Sequence, residues 1–314
     1  MSLLYVVAFL CGVCALFFDI AYQAFVPALL ARRRLVAGNS LLELSRSASE
    51  VIGPALGGGL MQIVKAPVAM AVDALSFLVS AALIARIRTR EERSVPAVDE
   101  TSRWRSVWRG VREVVHSAPL RALAVTLAAI GLFNAMIEAV AILYLTRSID
   151  LPPGLLGGIF AVGSIGFIIG AFLPARMVRR LGIGPTLAVA IAVVGLSDLA
   201  LPLAGQDARA VAIAFGVGQF FFGLGLTVFR VAQISIRQAL VPDALLGRVG
   251  GAFNVLGWGI APLGALIGGL LGQTIGLWWT LVIGAVCEAA VAIVIRVSPL
   301  WTMHDVSITE DGAS

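Results

Sequence analysis

Nine runs of about 20 apolar residues, each long enough to cross the hydrocarbon core of a bilayer, leave this chain few alternatives to a helical membrane protein. They fall at 3–30, 43–62, 66–87, 120–146, 154–175, 185–204, 208–235, 249–272 and 276–296 of the 314 residues. A segment in lipid has to satisfy its backbone N–H and C=O groups internally, and an α-helix does this within a single run. The expected fold is therefore all-α, a polytopic bundle of about nine transmembrane helices. Charged residues make up 13% of the chain, against roughly 25% in soluble domains. The first run is too long for a signal peptide and lacks a basic start and a small-residue cleavage site. Cys11, Cys14 and Cys287 all lie in apolar runs and read as packing residues.

The arginines set the orientation. Lys65 is the sole lysine among 23 basic residues, and the arginines gather in every second connection. Arg32, Arg33 and Arg34, the 86–121 stretch, Arg176, Arg179 and Arg180, and Arg237 with Arg248 fall on one side. Lys65, Arg147 and Arg209 fall on the other. The positive-inside rule makes the first side cytoplasmic, with the C-terminus inside and residue 1 outside. It also accounts for the net charge of +5 without a nucleic-acid partner. Within the long polar stretch 88–119, Trp104, Val107, Trp108, Val111 and Val115 form one apolar stripe with arginines on the other faces. That pattern predicts an amphipathic helix on the inner leaflet. The chain then divides into a partial bundle at 1–87, a cytoplasmic linker at 88–119, a six-helix bundle at 120–296 and a polar, disordered tail at 297–314.

Polar residues inside the runs mark the working parts, because ionisable groups in a membrane face a protein interior or a water-filled cavity. In ELSRSASEVIGPALGGGL, residues 43–60, Glu43, Arg46 and Glu50 stack along one helix face and continue into Gly53, Pro54, Gly57 and Gly58. Arg46 is placed to hold both carboxylates, with Glu43 and Arg46 near the cytoplasmic end as a gate or a solvated face and Glu50 deeper as a coupling group. Asp19 and Gln23 lie at i and i+4 in the first run, and Asn134 and Glu138 repeat that spacing in the fourth. A polar line along the seventh run includes Gln219, Arg230 and Gln233. Arg230 suits an anionic ligand or a carboxylate such as Glu138. Asp198 and Glu288 are isolated and receive no role.

An offset of 210 residues brings Gln23 onto Gln233, Leu30 onto Leu240, and Gly58 and Gly59 onto Gly268 and Gly269. Parallel repeats of this kind are a transporter architecture. AYQAFVPALL at 21–30, AGNSLLELSRSASEVIGPALGGGL at 37–60, VDALSFLVSAALI at 72–84, GAFLPARMVRRLG at 170–182 and LVPDALLGRVGGAFN at 240–254 resemble the major facilitator superfamily. The resemblance is to its bacterial drug and siderophore exporters, the branch of the enterobactin exporter. It implies twelve helices in two six-helix bundles, with the nine runs here corresponding to helices four to twelve and the first three lacking. It also implies that Gly53, Pro54, Gly57 and Gly58 form the antiporter motif. Gly170, Arg176, Arg179, Arg180 and Gly182 would form the conformational latch between helices eight and nine, its usual acidic residue replaced around Pro174 and Ala175.

Enzyme classes find no support. His116 and His304 are the only histidines, too few for a metal cluster or a His-based site, and no phosphate-binding loop for ATP is present. The expected activity is proton-coupled efflux of a hydrophobic or amphipathic small molecule, such as a drug, macrolide or siderophore, across the bacterial inner membrane. It needs no cofactor beyond the proton gradient, with Asp19, Glu50 or Glu138 changing protonation as access alternates. Two alternatives remain: a non-transporting fragment or structural partner, and an importer of an anionic solute. A homo-oligomer, or sequence upstream, would complete the missing half of the cavity.

Overall fold

In the computed structural model, residues 14, 18, 30, 34–63, 66–86, 103–151, 153–242 and 245–303 are described, and all their regular structure is helical. Most of the 3–30 run, including Asp19 and Gln23, the stretch 88–102, and the tail from His304 lie outside the described residues. First come α1 (Leu35–Ile63), α2 (Ala66–Ala85) and α3 (Arg103–His116). Then follow α4 (Ala118–Leu143) with a π turn at Tyr144–Ser148, α5 (Pro153–Gly170), α6 (Pro174–Leu181), α7 (Ile183–Asp198) and α8 (Ala200–Leu203). The chain continues through α9 (Ala208–Leu240), α10 (Leu246–Gly259), α11 (Ala261–Thr274), α12 (Leu277–Ala290) and α13 (Ala292–Val297).

Among the described residues, Ala118–Ser148, Ile183–Leu203, Ala208–Leu240, Leu246–Thr274 and Leu277–Val297 are long and apolar enough to cross a membrane. A sixth candidate is α5 taken with α6, bent by 54°. The 154–175 run was expected to be one span. It ends instead at Gly170, because Pro174 starts a new helix and Gly182, at φ 84°, ends it. Two spans are broken for a related reason. Pro202 has no N–H for the carbonyl of Asp198, and Pro262 has none for that of Trp258.

Glycines bring the helices together. On α5, a Cβ at Gly166 would collide with the carbonyl oxygen of Phe220 on α9, and one at Gly170 would sit 2.8 Å from that of Leu224. Gly223 returns the contact, 2.7 Å from the carbonyl oxygen of Gly163. Gly264 and Gly268 on α11 meet the carbonyls of Leu132 and Met136 on α4 in the same way, and Gly195 on α7 meets the backbone of Ala289 on α12. Lipid offers no hydrophobic drive between helices, so close backbone approach supplies the packing. Outward-facing residues such as Val255, Leu266 and Leu270 stay apolar and exposed, as a lipid-facing surface requires.

One expectation at the margins changes. Residues 298–303 pack back on the start of α7: Leu300 is fully buried, Gly184 admits the backbone of Leu300 and Trp301, and Ile183 N–H donates to Met303 O at 3.1 Å. Leu300 and Trp301 are apolar, so this part of the tail gains more from burial than from solvent. α3 docks through Gly110, whose Cβ would lie 3.0 Å from the backbone of Arg248, and through buried Val114. Val115, from the predicted apolar stripe, is exposed, which leaves it free for the leaflet.

Asp207 caps α9, its carboxylate accepting the Ala210 N–H at 2.8 Å. Asp207→Ala should cost about 1 kcal/mol. A thermal melt in detergent should show a midpoint lower by ~2–4 °C. An unchanged midpoint would mean that the cap carries no net stability.

Candidate functional site

A cavity of about 710 Å³ lies between α4, α5, α7, α9 and α11. Its size suits a small organic molecule. Four polar side chains reach it: Asn134 and Glu138 from successive turns of α4, Asp198 from the end of α7 and Gln219 from α9. Phe160 and Phe215 form an edge-to-face pair on its wall, their ring centres 6.4 Å apart. Pro262, at the break between α10 and α11, lines it as well. The wall is thus mainly apolar and aromatic, with two carboxyl groups and two amides converging from three helices.

Behind Asp198 sits a group that sequence reasoning passed over. Gly195 lets α7 press against α12 at Ala289, and this brings Asp198 and Glu288 within electrostatic reach of each other and of Glu138. Glu288 is fully buried. The signal was present in the sequence: each is a lone carboxyl in an apolar run with no basic residue nearby. Only the helix pairing shows that the two belong together.

A second polar cluster joins α1 to α9. Glu43, which is buried, pairs with Arg230 at 3.6 Å. One helical turn earlier, Asn39 Nδ2 donates to Ser235 Oγ at 3.0 Å and to Gln238 Oε1 at 2.7 Å. All three of these side chains are buried. The order is antiparallel, with residues 39 and 43 facing 238 and 230. Beside it, Arg237 lies over the Phe253 ring at 5.0 Å, joining α9 to α10. About 27 Å of helix, from the 1.5 Å rise per residue, separates Gln219 in the cavity from Arg237 at this end. The cavity and the cluster therefore occupy opposite halves of the bundle.

The predicted residues divide between these places. Asn134, Glu138 and Gln219 line the cavity. Arg230 was expected to reach a carboxylate such as Glu138, but its partner is Glu43, because α1 packs against the distant half of α9. Arg46, placed by the sequence to hold both Glu43 and Glu50, is exposed on α1; Glu43 pairs with Arg230, and the Glu50 side chain lies outside the described residues. Gln233 is buried on α9, and its Nε2 lacks a hydrogen-bond partner. Glu50, Gly53, Pro54, Gly57 and Gly58 all lie within the unbroken α1, and their side chains lie outside the described residues. Gly170 closes α5 against α9 and Gly182 ends α6, which holds the exposed Arg176, Arg179 and Arg180 between them.

Residues 1–265 match the sequence profile described as Major Facilitator Superfamily. The chain belongs to that superfamily. It is 27% identical over 244 residues to the Multidrug efflux pump Tap of Mycolicibacterium fortuitum, which covers 76% of this chain and 57% of Tap. The chain thus spans little more than half the length of that curated relative. Its fold is similar to that of a bacterial homologue of the iron transporter ferroportin in the outward-facing state, with a TM-score of 0.69 and 19% identity. That likeness covers 88% of this chain and 67% of the homologue. The Fucose:proton symporter of E. coli gives a TM-score of 0.61 at 17% identity, over 89% of this chain and 72% of the symporter. The two structures speak to fold alone. As a member of the Major Facilitator Superfamily, the chain is an all-α membrane protein.

Proposed function

We propose that this protein is a secondary active exporter of hydrophobic or amphipathic small molecules, driven by proton entry across a bacterial inner membrane. The observation that carries the reading is the cavity: an aromatic wall for an apolar body, with Glu138, Asp198, Asn134 and Gln219 to orient a polar or cationic end. The likeness to Tap, a multidrug efflux pump, supports the outward direction. The arginine-rich end faces the cytoplasm together with the C-terminus, and the clasp of α1 on α9 closes that end while the cavity serves the other. Arg230, the group an anion importer would need, is already matched by Glu43. Glu138, exposed in the cavity, joins Glu50 and Asp19 as a group whose protonation alternates, and the protein's partners are lipid and a second copy of the chain.

The test is accumulation of ethidium in cells expressing the protein, with and without a protonophore. Expression should lower accumulation several-fold, and the protonophore should restore it. Glu138→Gln, at equal membrane abundance, should retain less than a tenth of the efflux. Efflux that survives the protonophore would refute proton drive, and no efflux at confirmed abundance would refute the export reading for this class of substrate.

A further inference from the structure

We propose that Asp198 and Glu288 form a proton-binding site that holds one exchangeable proton between two carboxyl groups and is loaded from the cavity through Asp198. The two groups stand on facing helices, brought close where Gly195 of α7 meets the backbone at Ala289 of α12. Their environments differ in a useful way. Asp198 lines the cavity, whereas Glu288 lies behind it with no exposed surface. Both oxygens of Glu288 and Oδ2 of Asp198 are buried and complete no hydrogen bond, and the two carboxyls lie within electrostatic reach of each other. Two carboxylates offer only acceptors, so a bond between them requires a proton.

Among the described residues, no cation is paired with either carboxyl. Glu288 is the only charged residue of α12, and Asp198 the only one of α7. α4 adds a third carboxyl, Glu138, within electrostatic reach of both. α5 carries no charge at all. On α9 no charged residue occurs between Arg209 and Arg230, and Gln219 is its polar contribution at this level. Arg296 on α13 is eight residues beyond Glu288, about 12 Å along the axis by helix rise, and lies over the Trp301 ring. With no cation facing them among the described residues, two adjacent carboxyls remove their repulsion by sharing a proton. The break at Leu199 sets Asp198 at the end of α7, where a small change of helix direction alters its distance to Glu288. The cavity gives that proton a route in and out, which a fixed bond between helices would not have.

The use of the site in transport rests on the export reading, but its existence does not. Infrared spectra of the purified protein in lipid nanodiscs, recorded across a pH titration, test it directly. The expected result is a protonated-carboxyl C=O band at neutral pH that bleaches as the pH is raised. Glu288→Gln and Asp198→Asn should each abolish the band, since an amide can donate to the remaining carboxylate without a held proton. The two variants are near-isosteric, and either one carries the test if the other fails to fold. A missing wild-type band, or one that survives both substitutions, overturns the proposal. So does a band that never titrates, which would mark a static hydrogen bond between α7 and α12. Ethidium efflux by the wild type is scored separately, and its absence counts against the export reading, while the band alone decides the proton site.

Discussion

Gly166→Leu is expected to leave almost no folded protein in the membrane, whereas Gly158→Ala on the same helix is expected to be harmless. The contrast follows from what each added side chain would meet. At Gly166 a Cβ alone would collide with the Phe220 carbonyl oxygen and stand 2.8 Å from its carbon, so the obstacle is backbone and cannot rotate away. Leucine there has to separate α5 from α9, breaking the neighbouring contacts of Gly163 and Gly170 as well. Overpacking of a soluble core typically costs 1–3 kcal/mol, and a rigid backbone obstacle places this case at or above ~3 kcal/mol. At Gly158 a Cβ meets nothing within 4 Å, and the helix gains about 1 kcal/mol of propensity from alanine. Fluorescence-detected size-exclusion of detergent extracts would check both. A wild-type peak from Gly166→Leu would show that α5 and α9 are not held at backbone contact.

How much of this was legible beforehand depended on the range of the interaction. The spans were readable because lipid imposes their length, and the helices begin and end within a few residues of the apolar runs, as with 185–204 against Ile183–Leu203. Asn134 and Glu138 were readable as a pair because a helix sets i and i+4 on one face, whatever surrounds it. Arg230 could be recognised as a buried cation, but its partner lies 187 positions earlier in the chain, and periodicity within one helix says nothing about which helix lies opposite. Asp198 and Glu288 were invisible as a pair for the same reason: each was isolated in its own run. The break of α5 from α6 had a local cause in Pro174 that an apolar-run count ignores, since proline counts as neither polar nor charged. The docking of 298–303 depended on Gly184 leaving room, again a feature of the partner and not of the segment.

Charge reversal at the α1–α9 contact is expected to move the protein between conformations. Arg230→Glu should open the arginine-rich end, and adding Glu43→Arg in the same chain should close it again. The single variant sets a carboxylate where the Glu43 carboxylate now meets a guanidinium at 3.6 Å, turning attraction into repulsion. Arg230 is about one third exposed, so water screens the pair and the reversal is worth less than it would be in a dry core. Asn39 reinforces the clasp with two buried hydrogen bonds, each contributing about 1 kcal/mol. Loss of the ion pair together with Asn39→Ala should therefore shift a two-state equilibrium by roughly 2–3 kcal/mol, on the order of 30–150-fold. Spin labels at Leu41→Cys and Arg179→Cys, in a background without native cysteines, would read the opening as a longer distance by pulsed electron resonance. Because the double reversal restores the interaction without restoring either original residue, the cycle separates pairing from packing. On the export reading proposed above, alternating access requires α1 and α9 to part at this end, so the populations of the two distances should track efflux. A distance distribution that ignores both the single and the double reversal would show that Glu43 and Arg230 do not hold the end closed.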